Sequence, residues 1–172
     1  MRFNNIYGET FKVPEAYIPK AGARVMGLGN PTSKMSKSDP NGCVFLMEKP
    51  EDIARKFKRA ITDSDTENCV RFDPENKPGV SNLMNIYSAV TGKSIDEIER
   101  EFEGQGYGVF KPAVGDAVIE TLRPIREEAT RLLNDKAYLC SVYTEGAQKA
   151  SVIARKTLRK VYKKVGLVEK PF

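Results

Sequence analysis

Apolar residues recur at helical spacing along most of the chain from residue 50 onward. Pro50 begins the first predicted helix, which has Ile53, Phe57, Ala60 and Ile61 on one face. A second helix is expected from an N-cap at Ser81 to Gly92, and a third follows the capping box that starts at Ser94. Two longer helices are predicted over 111–134, kinked at Pro124, and over 137–165. The pattern predicts a bundle of about five helices.

Both long helices carry a continuous apolar stripe. In the fourth helix the stripe predicts that these residues face inward: Val114, Val118, Ile119, Leu122, Ile125, Ala129, Leu132 and Leu133. The last helix combines an apolar stripe with a dense basic face. A surface helix with a solvated face and a helix that contacts nucleic acid both fit this arrangement.

The first 42 residues lack this helical periodicity. Phe11–Val13 alternates like a brief strand, and the apolar run 23–28 predicts a buried strand that turns at Gly29-Asn30-Pro31 into a loop over 30–42. We therefore predict a mainly α protein, in which a short strand-loop segment precedes the helical bundle. The domain boundary is expected between residues 42 and 43.

Composition removes several classes of chemistry. The chain contains no histidine, so the usual general base and a frequent metal ligand are missing. Cys43, Cys69 and Cys140 are far apart and are predicted to be reduced thiols with no protein-bound metal. No apolar run suits a membrane span, and we expect a cytoplasmic protein. A net charge of +5 permits a polyanionic partner without requiring one.

The loop after the predicted strand contains Lys34-Met35-Ser36-Lys37-Ser38. Two ammonium groups three residues apart, with two hydroxyls and freed backbone N–H groups, can surround a triphosphate and neutralise charge on departing pyrophosphate. The alternative interpretation is a solvated, lysine-rich turn. Because the five residues stand together in a loop after a strand, the phosphate-binding interpretation is favoured.

K-M-S-K-S is also the second signature motif of class I aminoacyl-tRNA synthetases. The stretches P-G-V-S-N-L (78–83), E-G-Q-G-Y-G (103–108) and E-T-L-R-P-I (120–125) resemble bacterial tryptophanyl-tRNA synthetases, and this resemblance covers essentially the whole chain. It implies that residues 1–42 are the end of a Rossmann-like catalytic domain. It also implies that residues 43–172 form an α-helical C-terminal domain that recognises the anticodon region of tRNA.

The resemblance assigns roles to individual residues. Lys37 and Lys34 would be catalytic through their charge during attack of the amino-acid carboxylate on the α-phosphorus of ATP. Val25 would meet the adenine through its backbone. The implied ATP-binding residues are therefore Val25, Lys34, Met35, Ser36, Lys37 and Ser38, with magnesium only as the counter-ion of ATP. On the last helix Arg155, Arg159 and Lys163 are candidate tRNA contacts, weighed evenly against a solvated surface.

Two further loops carry weaker signals. Asp63-Ser64-Asp65-Thr66-Glu67 alternates carboxylates, but Asn68 and Pro74 break the EF-hand pattern, so we expect no metal there. The glycines of Glu103–Gly108 follow a helix and lack a downstream Gly-Lys-Ser/Thr. We interpret them as a helix stop with tight packing instead of a phosphate loop.

The favoured hypothesis is the C-terminal part of a tryptophan–tRNA ligase, with ATP, tryptophan and tRNA(Trp) as partners and a homodimeric parent. The family's first motif contains histidines, and this chain has none, so we expect no activity from this chain alone and a native chain longer than these residues. A tyrosyl-tRNA synthetase fragment and a stand-alone helical RNA-binding module are the alternatives.

Overall fold

The structure, a computed structural model, describes residues 1–18, 24–66 and 69–168. The described residues form six helices: α1 (Arg2–Tyr7), α2 (Pro50–Arg59), α3 (Pro78–Thr91), α4 (Ile95–Glu101), α5 (Tyr107–Leu133) and α6 (Lys136–Val165). The predicted mainly α class is confirmed. Of the predicted strand 23–28, Ala23 lies outside the described residues, and the remainder forms a single antiparallel bridge between Met26 and Lys34. None of the described helices is long and apolar enough to cross a membrane.

The chain forms two compact units, Ile18–Thr130 and a smaller one that joins Met1–Tyr17 to Arg131–Phe172. The two units are groups of residues that pack compactly together. They do not test the predicted functional boundary between residues 42 and 43, which stays a prediction. The larger unit holds a core supplied by α2, α3, α4 and the first half of α5, together with the loop residues Leu28, Cys69 and Val70. Its largest fully buried side chains are Phe57, Phe110, Ile53, Leu83, Met84, Ile98, Val80, Val114 and Cys69.

Helix α2 forms where it was predicted. Pro50 begins it, where its fixed φ suits the first turn and its missing N–H costs no hydrogen bond. Acidic residues occupy the positive first turn, and basic residues occupy the last turn. Ile53 and Phe57 are fully buried, as their spacing predicted. The assignment of Ile61 to this face is wrong, because α2 ends at Arg59 and Ile61 is 52% exposed.

Helix α3 begins at Pro78, so the predicted N-cap at Ser81 is wrong. Pro78 starts the helix in the same way as Pro50 starts α2. Ser81 lies inside the first turn, and its hydroxyl accepts a hydrogen bond from the Asp73 N–H at 2.9 Å. The end at Gly92 is confirmed, since its φ of 76° is left-handed and terminates the helix.

The capping box at Ser94 is confirmed: its Oγ accepts from the Glu97 N–H, and Glu97 accepts from the Ser94 N–H. Gly104, with φ of 70°, follows α4 as the predicted stop. The expected tight packing of these glycines is wrong, because a Cβ on Gly104, Gly106 or Gly108 would meet no atom within 4 Å. Helix α5 begins at Tyr107 and not at Lys111, since the Gly106 carbonyl accepts two N–H groups from residues 109 and 110.

The N-terminal prediction is wrong. Residues 2–7 are helical, and Phe11–Val13 is not a strand. The aromatic ring of Phe3 contacts those of Tyr7, one turn later, and Phe11. The Asn4 side chain hydrogen-bonds the backbone of residues 10 and 11. These contacts fold the segment back on its own helix, a pattern too short to appear as periodicity.

The second half of α5 and all of α6 differ from the predicted burial. Ile125 and Leu133 are 47% and 58% exposed, so their inward assignment is wrong. On α6 the apolar stripe includes Ile153, which is 71% exposed, and no residue of this helix is buried. Helix α6 begins at Lys136, one residue before the predicted start, with the Asp135 side chain as its cap. Helix α5 continues through Pro124, and a kink there stays a prediction.

Candidate functional site

The K-M-S-K-S loop departs from a short antiparallel pairing. Met26 and Lys34 form the bridge, and two backbone hydrogen bonds flank it. The Gly27 N–H donates to the Ser33 carbonyl at 2.9 Å, and the Met35 N–H donates to the Val25 carbonyl at 3.0 Å. This pairing brings residue 25 beside the start of the motif. The Val25 carbonyl keeps one further lone pair for a ligand.

A hydrogen-bonded turn lies on each side of the K-M-S-K-S motif, and the two turns restrict the length of the loop. Before the motif, the Asn30 side chain accepts from the Thr32 N–H, and the Asn30 carbonyl accepts from the Ser33 N–H. After it, the Asp39 N–H donates to the Ser36 carbonyl at 3.0 Å, and the Gly42 N–H donates to Asp39. The motif is therefore a short, turn-rich excursion instead of a long flexible loop.

One side chain of the motif packs against the core, and the other four are exposed to solvent. Met35 is half-buried and packs against the core of the larger unit. Lys34, Ser36, Lys37 and Ser38 are exposed. Among the described residues neither of the two lysines forms an ion pair. The structure thus brings together the predicted ATP-binding residues with their charged groups facing solvent, as an incoming triphosphate requires.

A cleft of about 590 Å³ lies next to the end of the loop. Pro40 and Asn41 line one side, and residues of α2 line the other. Within it the Lys56 Nζ lies 2.5 Å from Glu48 Oε1, donates to the Cys43 carbonyl at 2.8 Å, and stands 5.5 Å from the Phe45 ring centre. Lys56 therefore holds the segment that leads from the loop to α2.

Sequence reasoning missed a buried polar network in the larger unit. Lys77, 3% exposed, donates to Asp63 at 2.9 Å and pairs with Asp65 at 2.5 Å. The Tyr107 hydroxyl donates to the same Asp63 carboxylate and lies 3.0 Å from the Cys69 carbonyl oxygen. The carboxylates considered for calcium thus have a lysine as their partner. Glu67 and Asn68 of that stretch lie outside the described residues.

The network shifts the protonation of its members. Burial opposes ionisation of Asp63, but hydrogen bonds from Tyr107 and Lys77 outweigh it and lower the pKa of the carboxyl. Burial likewise opposes the charge of Lys77, but bonds to Asp65 and Asp63 outweigh it and raise the pKa of the ammonium group. Burial, followed by the Asp63 bond, raises the pKa of Tyr107. All three stay in one protonation state near neutral pH, which suits a structural role. The sequence signals were the alternating carboxylates of residues 63–67 and a lysine directly before the proline that starts α3.

The candidate tRNA contacts lie on α6, in the smaller unit. Arg155, Arg159 and Lys163 are four residues apart in succession, share one helix face, and are exposed. A basic row of this kind can follow a phosphate backbone. Its contact with tRNA stays a prediction.

Comparison with known proteins identifies the family. The family model described as tRNA synthetases class I (W and Y) matches residues 1–123. The chain is 53% identical to the tryptophan–tRNA ligase of Wolinella succinogenes over 169 residues, which is 97% of this chain and 51% of that protein. It is 52% identical to the tryptophan–tRNA ligase of Clostridium tetani, covering 97% of this chain and 49% of that protein. The chain thus spans about half the length of the curated relatives it matches.

Solved structures agree with this result. The tryptophanyl-tRNA synthetase of Mycoplasma pneumoniae superposes with a TM-score of 0.79 at 27% identity, covering 97% of this chain and 50% of that one. The Campylobacter jejuni enzyme, solved in complex with ADP and tryptophan, gives a TM-score of 0.67 at 30% identity over 96% of this chain and 50% of that one. Since the family match extends well past half of the sequence, this chain belongs to the class I tRNA synthetases of the tryptophan and tyrosine group.

Proposed function

We propose that this chain is the C-terminal part of a tryptophan–tRNA ligase and supplies its ATP-phosphate loop. The observation that carries the proposal is the K-M-S-K-S turn, with Lys34 and Lys37 facing solvent on a half-buried Met35 anchor. The tryptophan–tRNA ligases at 53% and 52% identity support tryptophan over tyrosine as the substrate. ADP and tryptophan in the Campylobacter jejuni relative support an adenine nucleotide as the ligand.

In the proposed reaction the tryptophan carboxylate attacks the α-phosphorus of ATP. A carboxylate–phosphorus bond forms, the bond to the β-phosphate oxygen breaks, and pyrophosphate leaves. Negative charge builds on the departing pyrophosphate, where the ammonium group of Lys37, assisted by that of Lys34, stabilises it. Ser36 and Ser38 donate hydrogen bonds to phosphate oxygens, and Val25 meets the adenine through its backbone.

Magnesium enters this proposal only with the nucleotide. The groups that the motif offers are ammonium and hydroxyl, which suit phosphate oxygens and not a divalent cation. Among the described residues no group of three or more carboxylate or cysteine side chains could hold a metal ion. The ion would neutralise phosphate charge on ATP, and the protein would contact it through the phosphates.

The helical part is proposed to bind tRNA(Trp) through Arg155, Arg159 and Lys163 on α6. The spacing and the exposure of these three residues support this proposal, because they allow three phosphate contacts along one helix face. We also propose that the complete enzyme is a homodimer and that it is located in the cytoplasm.

Amino-acid-dependent ATP–pyrophosphate exchange tests the activity. The complete enzyme that carries this sequence should exchange with tryptophan and not with tyrosine, and residues 1–172 alone should show no exchange. Exchange with tyrosine alone would keep the reaction and change the substrate. No exchange with either amino acid would contradict the proposal and favour a helical RNA-binding module.

The tRNA proposal needs a separate measurement. Replacing Arg155, Arg159 and Lys163 together by glutamine should weaken tRNA(Trp) binding and lower its salt dependence, while tryptophan-dependent exchange stays unchanged. A matched control replaces Lys49, Lys58 and Lys111, which lie in the larger unit, by glutamine. Equal tRNA affinity of the two triple variants would remove the α6 row from the proposal.

A further inference from the structure

The strand-like segment before the loop has an unusual partner on its outer edge. In the bridge with Lys34, the flanking hydrogen bonds belong to residues 25 and 27, so the N–H and C=O of Met26 point away from Lys34. In a sheet, a further strand would accept a hydrogen bond from this N–H and donate one to this C=O. Here the side-chain amide of Asn82 accepts from the Met26 N–H at 2.9 Å and donates to the Met26 carbonyl at 3.0 Å.

Asn82 thus replaces the backbone of a neighbouring strand at one position. Its Oδ1 and Nδ2 atoms offer one acceptor and one donor, the same pair that a peptide group offers. Asn82 is 4% exposed, which protects both hydrogen bonds from competition with water. Only one orientation of the amide pairs both groups of Met26, so the network fixes that orientation.

The helix that carries Asn82 is itself fixed against the same segment. Gly79, one turn earlier on α3, allows the Ile61 carbonyl to approach so closely that a Cβ would stand 2.1 Å from its oxygen. The Ile61 N–H donates to the Leu28 carbonyl at 2.9 Å, two residues after Met26. Helix α3 therefore contacts the segment 26–28 directly through Asn82 and indirectly through Ile61, which lies between Gly79 and Leu28.

We propose that Asn82 is a positioning residue that fixes Met26, and through its pairing with Lys34 fixes the K-M-S-K-S loop for the transition state of amino-acid activation. The proposal rests on the function proposed above. Asn82 does not touch ATP in this account. It acts through the backbone, so its loss should lower the rate of the chemical step more than the affinity for tryptophan.

Asn82→Asp in the complete enzyme is the test, because aspartate keeps the shape of asparagine and cannot donate to the Met26 carbonyl when ionised. Asn85→Asp is the matched control, since Asn85 is exposed on the same helix and undergoes the same chemical change. We expect kcat for tryptophan activation to fall about tenfold to a hundredfold in Asn82→Asp, with the KM for tryptophan within about twofold of wild type. Asn85→Asp should keep both parameters. An unchanged kcat in Asn82→Asp, or an equal loss in both variants, would overturn the proposal.

Hydrogen exchange on the unsubstituted chain keeps the proposal testable if Asn82→Asp does not fold. The Met26 amide should exchange at least about 100-fold more slowly than the exposed amide of Lys37. Equal rates would overturn the proposal. Because this measurement needs no activity, it also separates the two claims: absent tryptophan-dependent exchange in the wild-type enzyme refutes the proposed function, whereas a rapidly exchanging Met26 refutes the role of Asn82.

Discussion

Lys77 Nζ lies 2.9 Å from Asp63 Oδ1 in the interior of the larger unit, and this pair joins the start of α3 to the loop that follows α2. Tyr107, the first residue of α5, donates its hydroxyl to the same carboxylate. Three elements that are distant in sequence thus meet at one buried charge pair. The arrangement fixes the N-terminal turn of α3, the helix that also carries Asn82.

Replacing Lys77 by methionine should destabilise the chain by about 3 kcal/mol, because Asp63, whose side chain is only 21% exposed, would lose its cation while remaining partly shielded from water. Urea-induced unfolding followed by circular dichroism measures this change. Lys149→Met is the control, since Lys149 and Glu145 form an exposed pair with side-chain exposures of 74% and 65%. Such a pair contributes less than about 0.5 kcal/mol. Equal losses in the two variants would contradict the role of Lys77.

The same network predicts a pH dependence of stability. The pKa of Asp63 is lowered from 3.8, so its contribution is present above 3.8 and is lost as the pH falls through the folded-state pKa. The pKa of Lys77 is raised from 10.5, so its contribution is present below 10.5 and is lost as the pH rises through the folded-state pKa. The difference in unfolding free energy between wild type and Lys77→Met should therefore be greatest between these limits. A difference that grows as the pH falls below about 3 would contradict this assignment.

Gly79→Ala should be among the most destabilising single substitutions, because its Cβ would lie 2.1 Å from the backbone oxygen of Ile61, which cannot rotate away. We expect a loss of about 3 kcal/mol in urea-induced unfolding. Gly108→Ala provides the comparison: it lies in α5, where a Cβ meets no atom within 4 Å, and alanine favours the helix. Equal stability of the two variants would show that α3 does not approach Ile61 this closely.

The sequence predicted those parts of the fold that local rules determine. Helix α2, the capping box at Ser94 and the end of α3 at Gly92 follow from proline, cap and glycine preferences that act within a few residues. The K-M-S-K-S residues are predicted as a phosphate-binding site because five fixed residues in a loop form a specific signal, and their role stays a prediction.

Several failures come from contacts that the periodicity of apolar residues does not reveal. Helix α1 is supported by the ring of Phe3 and the side chain of Asn4, both acting on residues that come later in the chain. The Lys77 network and the Asn82 hydrogen bonds join residues 14 and 56 positions apart, beyond any local pattern. Ile125 and Leu133 fit a helical stripe but are exposed, because periodicity identifies an apolar face without showing what covers it.

Lys37→Ala in the complete enzyme, assayed by tryptophan-dependent ATP–pyrophosphate exchange, is the decisive test of the proposed role of the K-M-S-K-S loop. Loss of one preorganised charge at the departing pyrophosphate should slow exchange about 100-fold or more. Lys58→Ala, an exposed lysine on α2 outside the loop, should leave exchange unchanged. Wild-type exchange in the Lys37 variant would contradict a role for this loop in amino-acid activation.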